Sequence, residues 1–119
     1  RGLHEARTHP QQEQLVRLQQ LQQTLQAVVA QKQQLEIELT ETDRATSELE
    51  KLADDTPVYK SVGSILLKSN RQALLTELKE KKEILNTRVT VLGRQEERTK
   101  ERVRELQQKL QERLRSIAP

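Results

Sequence analysis

Two stripes of aliphatic residues, each stepping by three and four, run along this sequence on either side of a short segment of different texture. The first reads Leu18, Leu21, Leu25, Val28, Lys32, Leu35, Leu39, Thr42, Thr46, Leu49, and seven of its ten positions are apolar. The second reads Leu75, Leu78, Lys82, Leu85, Val89, Leu92, Glu96, Thr99, Val103, Leu106, Leu110, Arg113, Ile117, with nine of thirteen apolar. This spacing keeps one narrow seam on one side of a helix, the heptad pattern of a coiled coil. Composition closes off the alternatives. Of 119 residues 33% are apolar, 33% charged and 1% aromatic, and Tyr59 is the single ring. A compact globule of this size draws on more apolar residues and several large rings. Three Gly and three Pro are too few for a disordered linker. The fold class expected is mainly α: a long antiparallel two-helix coiled coil with one β-hairpin between the helices.

Start and stop signals divide the chain. Residues 1–9 read as a flexible N-terminal arm. Thr8 is the expected N-cap of the first helix, with Gln11 three residues on and Pro10 in the first turn. That helix is expected over 10–53, because Asp54, Asp55 and Pro57 oppose its continuation. In VYKSVGSILLKSN, residues 58–70, two runs of strand formers flank Gly63-Ser64 and read as a hairpin within a 54–70 segment. Val58, Lys60 and Val62 share one face, Tyr59 and Ser61 the other, and the second run is apolar enough for burial on both faces. Ser69 or Asn70 caps the second helix, expected over 71–118, with Gln72 completing a Ser-x-x-Gln box. Gly93 lies inside it off the stripe, at a cost of about 1 kcal/mol relative to Ala. Helices of this length span about 65–70 Å each, and the short insert turns the chain back on itself.

In an antiparallel seam, facing residue numbers add to a constant. A total of 124 sets Leu39 against Leu85, and 131 sets it against Leu92; the sequence permits both. In either, Lys32 and Glu96 fall in the same or adjacent layers. They meet there in a register-fixing polar contact, or both snorkel to water. Charge is uneven: residues 33–55 hold eight acidic and two basic groups, and residues 94–115 hold five acidic and eight basic. The net charge of +3 is too small to point to nucleic acid.

Catalytic chemistry finds little support. His4 and His9 lie in the arm without Cys or helical i,i+4 spacing, so no metal is expected. The run from Gly63 to Ser69 lacks the second glycine of a phosphate loop. Ser and Thr have no partnered His and acid, and the carboxylates lie along solvated helix faces. The expectation is a non-enzyme with no cofactor. No stretch of about 20 apolar residues suggests a membrane span, and the absence of Cys fits a reducing cytoplasm.

An isolated hairpin is marginally stable in water. Nothing else in this sequence reads as a strand, so the hairpin is expected to pair with other chains through its edges. At the opposite ends of the helices, Leu15 and Val16 lie beside the seam, and Leu114 and Ile117 crowd the last turn near Leu110. These either close the coiled coil or form an apolar patch for another chain.

The pattern of long helix, Asp54-Asp55, Val58-Tyr59-Lys60, Val62-Gly63, Ile65 to Lys68, long helix resembles the beta-type subunits of the prefoldin family, most closely the archaeal ones, over residues 11–117. Arg94-Gln95-Glu96 is similar to the family as well. The insert has room for one hairpin, as in beta-type subunits; alpha-type subunits carry two. The resemblance implies an ATP-independent chaperone. In it, two alpha-type and four beta-type subunits join their hairpins into an oligomeric β-barrel, and the coiled-coil tips hold unfolded polypeptides for transfer to a group II chaperonin. It implies oligomerisation residues at Val58, Tyr59, Val62, Gly63, Ile65, Leu66 and Leu67. It implies client-binding residues at Leu15, Val16, Leu18, Leu21, Leu106, Leu110, Leu114 and Ile117. Neither nucleic acid nor membrane is an expected partner. The competing expectation is a coiled-coil scaffold or adaptor for one specific folded partner.

Overall fold

A computed structural model describes residues 10–117. The arm at 1–9, the Thr8 cap, both histidines and residue 118 lie outside the described residues. Helix α1 spans Pro10–Glu50, strand β1 Val58–Val62, strand β2 Ile65–Ser69 and helix α2 Arg71–Ile117.

Helix α1 ends at Glu50, short of the 53 expected from the acidic pair. The last-turn carbonyls find other donors. Leu52 N donates to Leu49 O at 3.1 Å, tightening the final turn to i→i+3. Arg71, the first residue of α2, donates from Nε to Leu49 O at 2.8 Å and from Nη2 to Glu50 O at 3.4 Å. Its Nη1 meets Asp54 Oδ1 at 2.8 Å. A cation at the negative end of the α1 dipole thus caps the helix and offsets Asp54.

The α2 cap is Asn70, not Ser69. Asn70 Oδ1 accepts from Ala73 N at 2.8 Å and Asn70 O accepts from Leu74 N at 3.1 Å. The Ser69–Gln72 box is absent because Ser69 is still in the sheet, paired with Val58. The antiparallel register continues through Lys60↔Leu67 to Val62↔Ile65, leaving Gly63-Ser64 as a two-residue turn. Gly63 has φ +58° and, among the described residues, no non-glycine residue has positive φ, which is the type II′ pattern matched to strand twist. The run that superficially suggested a phosphate loop is therefore a turn and a strand.

The chain divides into two compact units. The hairpin unit comprises residues 32–91, and the terminal unit holds the helix portions up to residue 31 and from residue 92. Each has a thin core on the expected stripe. In the hairpin unit Leu85 and Thr42 are buried; in the terminal unit Val28, Thr99 and Val103 are. Threonine is tolerated at these positions because its hydroxyl is satisfied within its own helix. Thr42 Oγ1 donates to Glu38 O at 2.7 Å and Thr99 Oγ1 to Gln95 O at 2.8 Å, which leaves the methyl group for the seam. Two stripe positions depart from burial. Lys82 turns out to solvent and meets Asp43 Oδ1 at 2.8 Å, and Ile117 is exposed.

In the hairpin unit, contacts decide the register left open by the sequence. Arg71 reaches Leu49 and Lys82 reaches Asp43, so the helices run antiparallel. With a total of 131, Leu49 would face Lys82, and Arg71 would sit eleven residues, about 16 Å, away along the axis. That is beyond one side chain. A total near 124 brings both contacts within reach. In the terminal unit, Glu96 Oε2 meets Lys100 Nζ at 2.9 Å. The hydrogen bond to that carboxylate, with its charge, raises the Lys100 pKa above its ordinary value.

Two outcomes follow from these contacts. Leu39→Cys with Leu85→Cys should form an intramolecular disulfide under mild oxidation, and Thr42→Cys with Val89→Cys, facing in the other register, should not; gel mobility before and after reduction reads the result. The Arg71 side chain is 19% exposed and donates to carbonyls, whereas the Asp54 side chain is 87% exposed. Arg71→Ala should therefore cost about 2 kcal/mol in thermal unfolding, and Asp54→Ala less than about 1 kcal/mol.

Candidate functional site

Two surfaces stand out: the hairpin in one unit and the helix ends in the other. The period of two in a strand sorts the hairpin into faces. Val58, Lys60 and Val62 share a face with their partners Ser69, Leu67 and Ile65; Tyr59 and Ser61 share the other with Lys68 and Leu66. The first face is anchored at its base. Val58 is 8% exposed, and Lys60 Nζ meets Glu77 Oε2 of α2 at 2.9 Å. Toward the turn this face opens, and Val62, Ile65 and Leu67 are exposed. The other face is uncovered throughout, with Leu66 71% and Tyr59 60% exposed.

Strand β2 is thus buried on neither face by its own chain, so the two-faced burial expected from its continuous apolar run would have to come from other chains. A run such as Ile65-Leu66-Leu67 records a demand for cover but not which chain supplies it. Val58 also differs from the other six residues grouped with it, since its side chain is already buried within the single chain. The sheet has two strands, and among the described residues no third strand pairs with either edge.

The helix ends present a second apolar surface. Leu110, Leu114 and Ile117 follow at i, i+4 and i+7 on one face of α2. Leu110 is half-buried, while Leu114 and Ile117 are 64% and 65% exposed. On α1, Leu15 and Val16 are exposed, and Leu18 and Leu21 are half-buried. Leu106 is half-buried in α2. The eight residues thus divide into four that close the seam and four that open to solvent.

A feature missed by the stripe lies within the same unit. Gln14, Arg17 and Leu21 of α1 and Arg102, Glu105, Leu106 and Lys109 of α2 line a groove of about 510 Å³. Its cations occupy positions that heptad reading treats as solvated. The available signal was the excess of basic residues over 94–115.

Among the described residues no group of His, Cys, Asp or Glu is placed to hold a metal ion. No helix there is long and apolar enough to cross a membrane.

Similarity to known proteins follows the same architecture. The family model described as prefoldin subunit matches residues 12–117. Prefoldin subunit beta of Archaeoglobus fulgidus is 52% identical over 90 residues, covering 75% of this chain and 78% of that protein. The same subunit of Methanothrix thermoacetophila is 49% identical over 87 residues, covering 73% and 72%. The crystal structure of the prefoldin beta subunit from Thermococcus strain KS-1 matches with a TM-score of 0.82 and 43% identity, over 92% of this chain and 96% of that one. The beta2 subunit from the same strain, 19% identical with a TM-score of 0.70 over 76% and 97%, shares the fold. With its paired long helices, single hairpin and these relatives, the chain belongs to the prefoldin subunit family, in its archaeal-type beta branch.

Proposed function

We propose that this chain serves as one subunit of an ATP-independent holdase that shields non-native polypeptides and yields them to a group II chaperonin. The observation that carries the reading is the hairpin. Its two edges, unpaired among the described residues, and its exposed Tyr59, Val62, Ile65, Leu66 and Leu67 form a surface that the chain's own helices leave uncovered. Other prefoldin subunits, alpha-type and beta-type, are the partners proposed for it, in a hexamer of two alpha and four beta chains whose hairpins close into a barrel. Closure of that kind removes sheet edges altogether.

The helix ends are the proposed client surface. A holdase needs apolar area without fixed geometry. Leu15, Val16, Leu114 and Ile117 offer four aliphatic side chains already in water, with Leu18, Leu21, Leu106 and Leu110 beneath them. Full burial of one aliphatic side chain contributes about 1.5–3 kcal/mol, and partial burial less. One subunit therefore binds weakly and releases readily. Several subunits held by one barrel gain affinity through effective concentration. Release then requires competition by the chaperonin and no nucleotide hydrolysis.

Removal of residues 1–17 and 107–119 should abolish suppression of client aggregation, followed by light scattering, while the assembled mass stays on the hexamer scale. Undiminished protection by the truncated assembly would contradict the client surface. Activity toward a single folded protein alone would favour the adaptor reading instead. Leu66→Asp places a charge on a side chain that is largely exposed in the single chain, so helicity should persist while assembly with an alpha-type subunit fails in size-exclusion chromatography. A normal assembly carrying Leu66→Asp would contradict the barrel.

A further inference from the structure

The groove between Gln14, Arg17 and Leu21 of α1 and Arg102, Glu105, Leu106 and Lys109 of α2 sets three cations beside two leucines. Several basic side chains elsewhere are paired with carboxylates. In the hairpin unit Lys60 pairs with Glu77, Arg71 with Asp54 and Lys82 with Asp43. Around the groove, among the described residues, no ion pair joins Arg17, Arg102 or Lys109 to a carboxylate. Three cations and one acid therefore ring a floor made by Leu21 and Leu106. At its edge Gln14 Oε1 is buried without a hydrogen-bond donor, an unmet acceptor of the kind that a peptide N–H satisfies.

We infer that this groove selects extended, non-native polypeptide segments that carry carboxylate side chains beside aliphatic ones. The inference rests on the client-binding reading above and adds a charge preference to it. The aliphatic side chain lies on Leu21 and Leu106, the carboxylate faces Arg17, Arg102 and Lys109, and the segment's backbone N–H groups supply the donors that Gln14 lacks. Arginine's planar fork suits a carboxylate, and Lys109 adds a mobile point charge. Charge complementarity at an exposed rim acts chiefly on encounter and on discrimination between partners. A nucleic-acid strand fits less well. The groove has no aromatic residue for base stacking, and Glu105 lies among its cations.

The test uses the full chain and three fluorescent unstructured peptides that share their Leu and Val residues and carry Glu, Gln or Lys at the remaining positions. Anisotropy titrations at about 0.05 M salt should rank them Glu over Gln over Lys, with about tenfold between the extremes, and the gap should shrink at about 0.5 M salt. Arg17→Glu with Lys109→Glu should invert the order, and Arg17→Gln with Lys109→Gln should compress it, each with helicity checked by circular dichroism. Equal binding of the three peptides would overturn the charge preference and leave client binding standing. No binding of any peptide would remove both. Tighter binding of an oligothymidine of equal charge than of the Glu peptide would overturn the choice of a polypeptide occupant.

Discussion

A two-stranded sheet cannot satisfy itself. Each strand has one partner and therefore one row of backbone donors and acceptors facing outward. Here the deficit is compounded by side chains. The face that carries Tyr59 and Leu66 is uncovered, and the opposite face is covered only at its base, around Val58 and Ser69. Val58 is buried, and the Lys60–Glu77 ion pair ties the hairpin to α2. The ion pair is half-exposed and contributes little to stability, so most of the stabilisation available to residues 59–68 lies in surfaces other chains would bring. Assembly through the hairpin is the reading that meets this demand, and the role proposed for the helix ends depends on it.

The helices solve a different problem with the same economy. Each unit has a core only one seam wide, and the hydroxyls buried in it are returned to the helix backbone. Thr42 to Glu38, Thr46 to Thr42 and Thr99 to Gln95 are bonds of this kind, between 2.7 and 2.9 Å. Such a seam leaves most of both helices in water, which is what allows a terminal unit to expose Leu114 and Ile117 while its seam residues stay covered. Arg71 does for the junction what the threonines do for the seam. One guanidinium closes α1, opens α2 and sets their register beside the hairpin.

Much of this was legible in the residues. The period of three and four located the stripes, and glycine before serine located the type II′ turn, because both signals are local and repeat a steric rule. The features that were not legible depend on distant partners. The end of α1 at Glu50 follows from Arg71, twenty-one residues on. The choice of Asn70 over Ser69 as cap follows from the pairing of Ser69 with Val58 across the hairpin. The register needed the reach of Arg71 and Lys82, and no count of stripe residues distinguishes two totals one heptad apart. The cationic groove was hidden for a related reason. Arg17, Arg102 and Lys109 read individually as solvated, and only packing of the two helices brings them around Leu21 and Leu106.

The most direct test of the central claim is amide hydrogen exchange over residues 58–69 in the isolated chain and after mixing with an archaeal alpha-type prefoldin subunit. If the hairpin is the assembly surface, exchange there should slow by orders of magnitude on mixing, beyond any change in the seam helices. Unchanged, fast exchange in the hairpin within a mixture that nonetheless forms a complex would contradict the account.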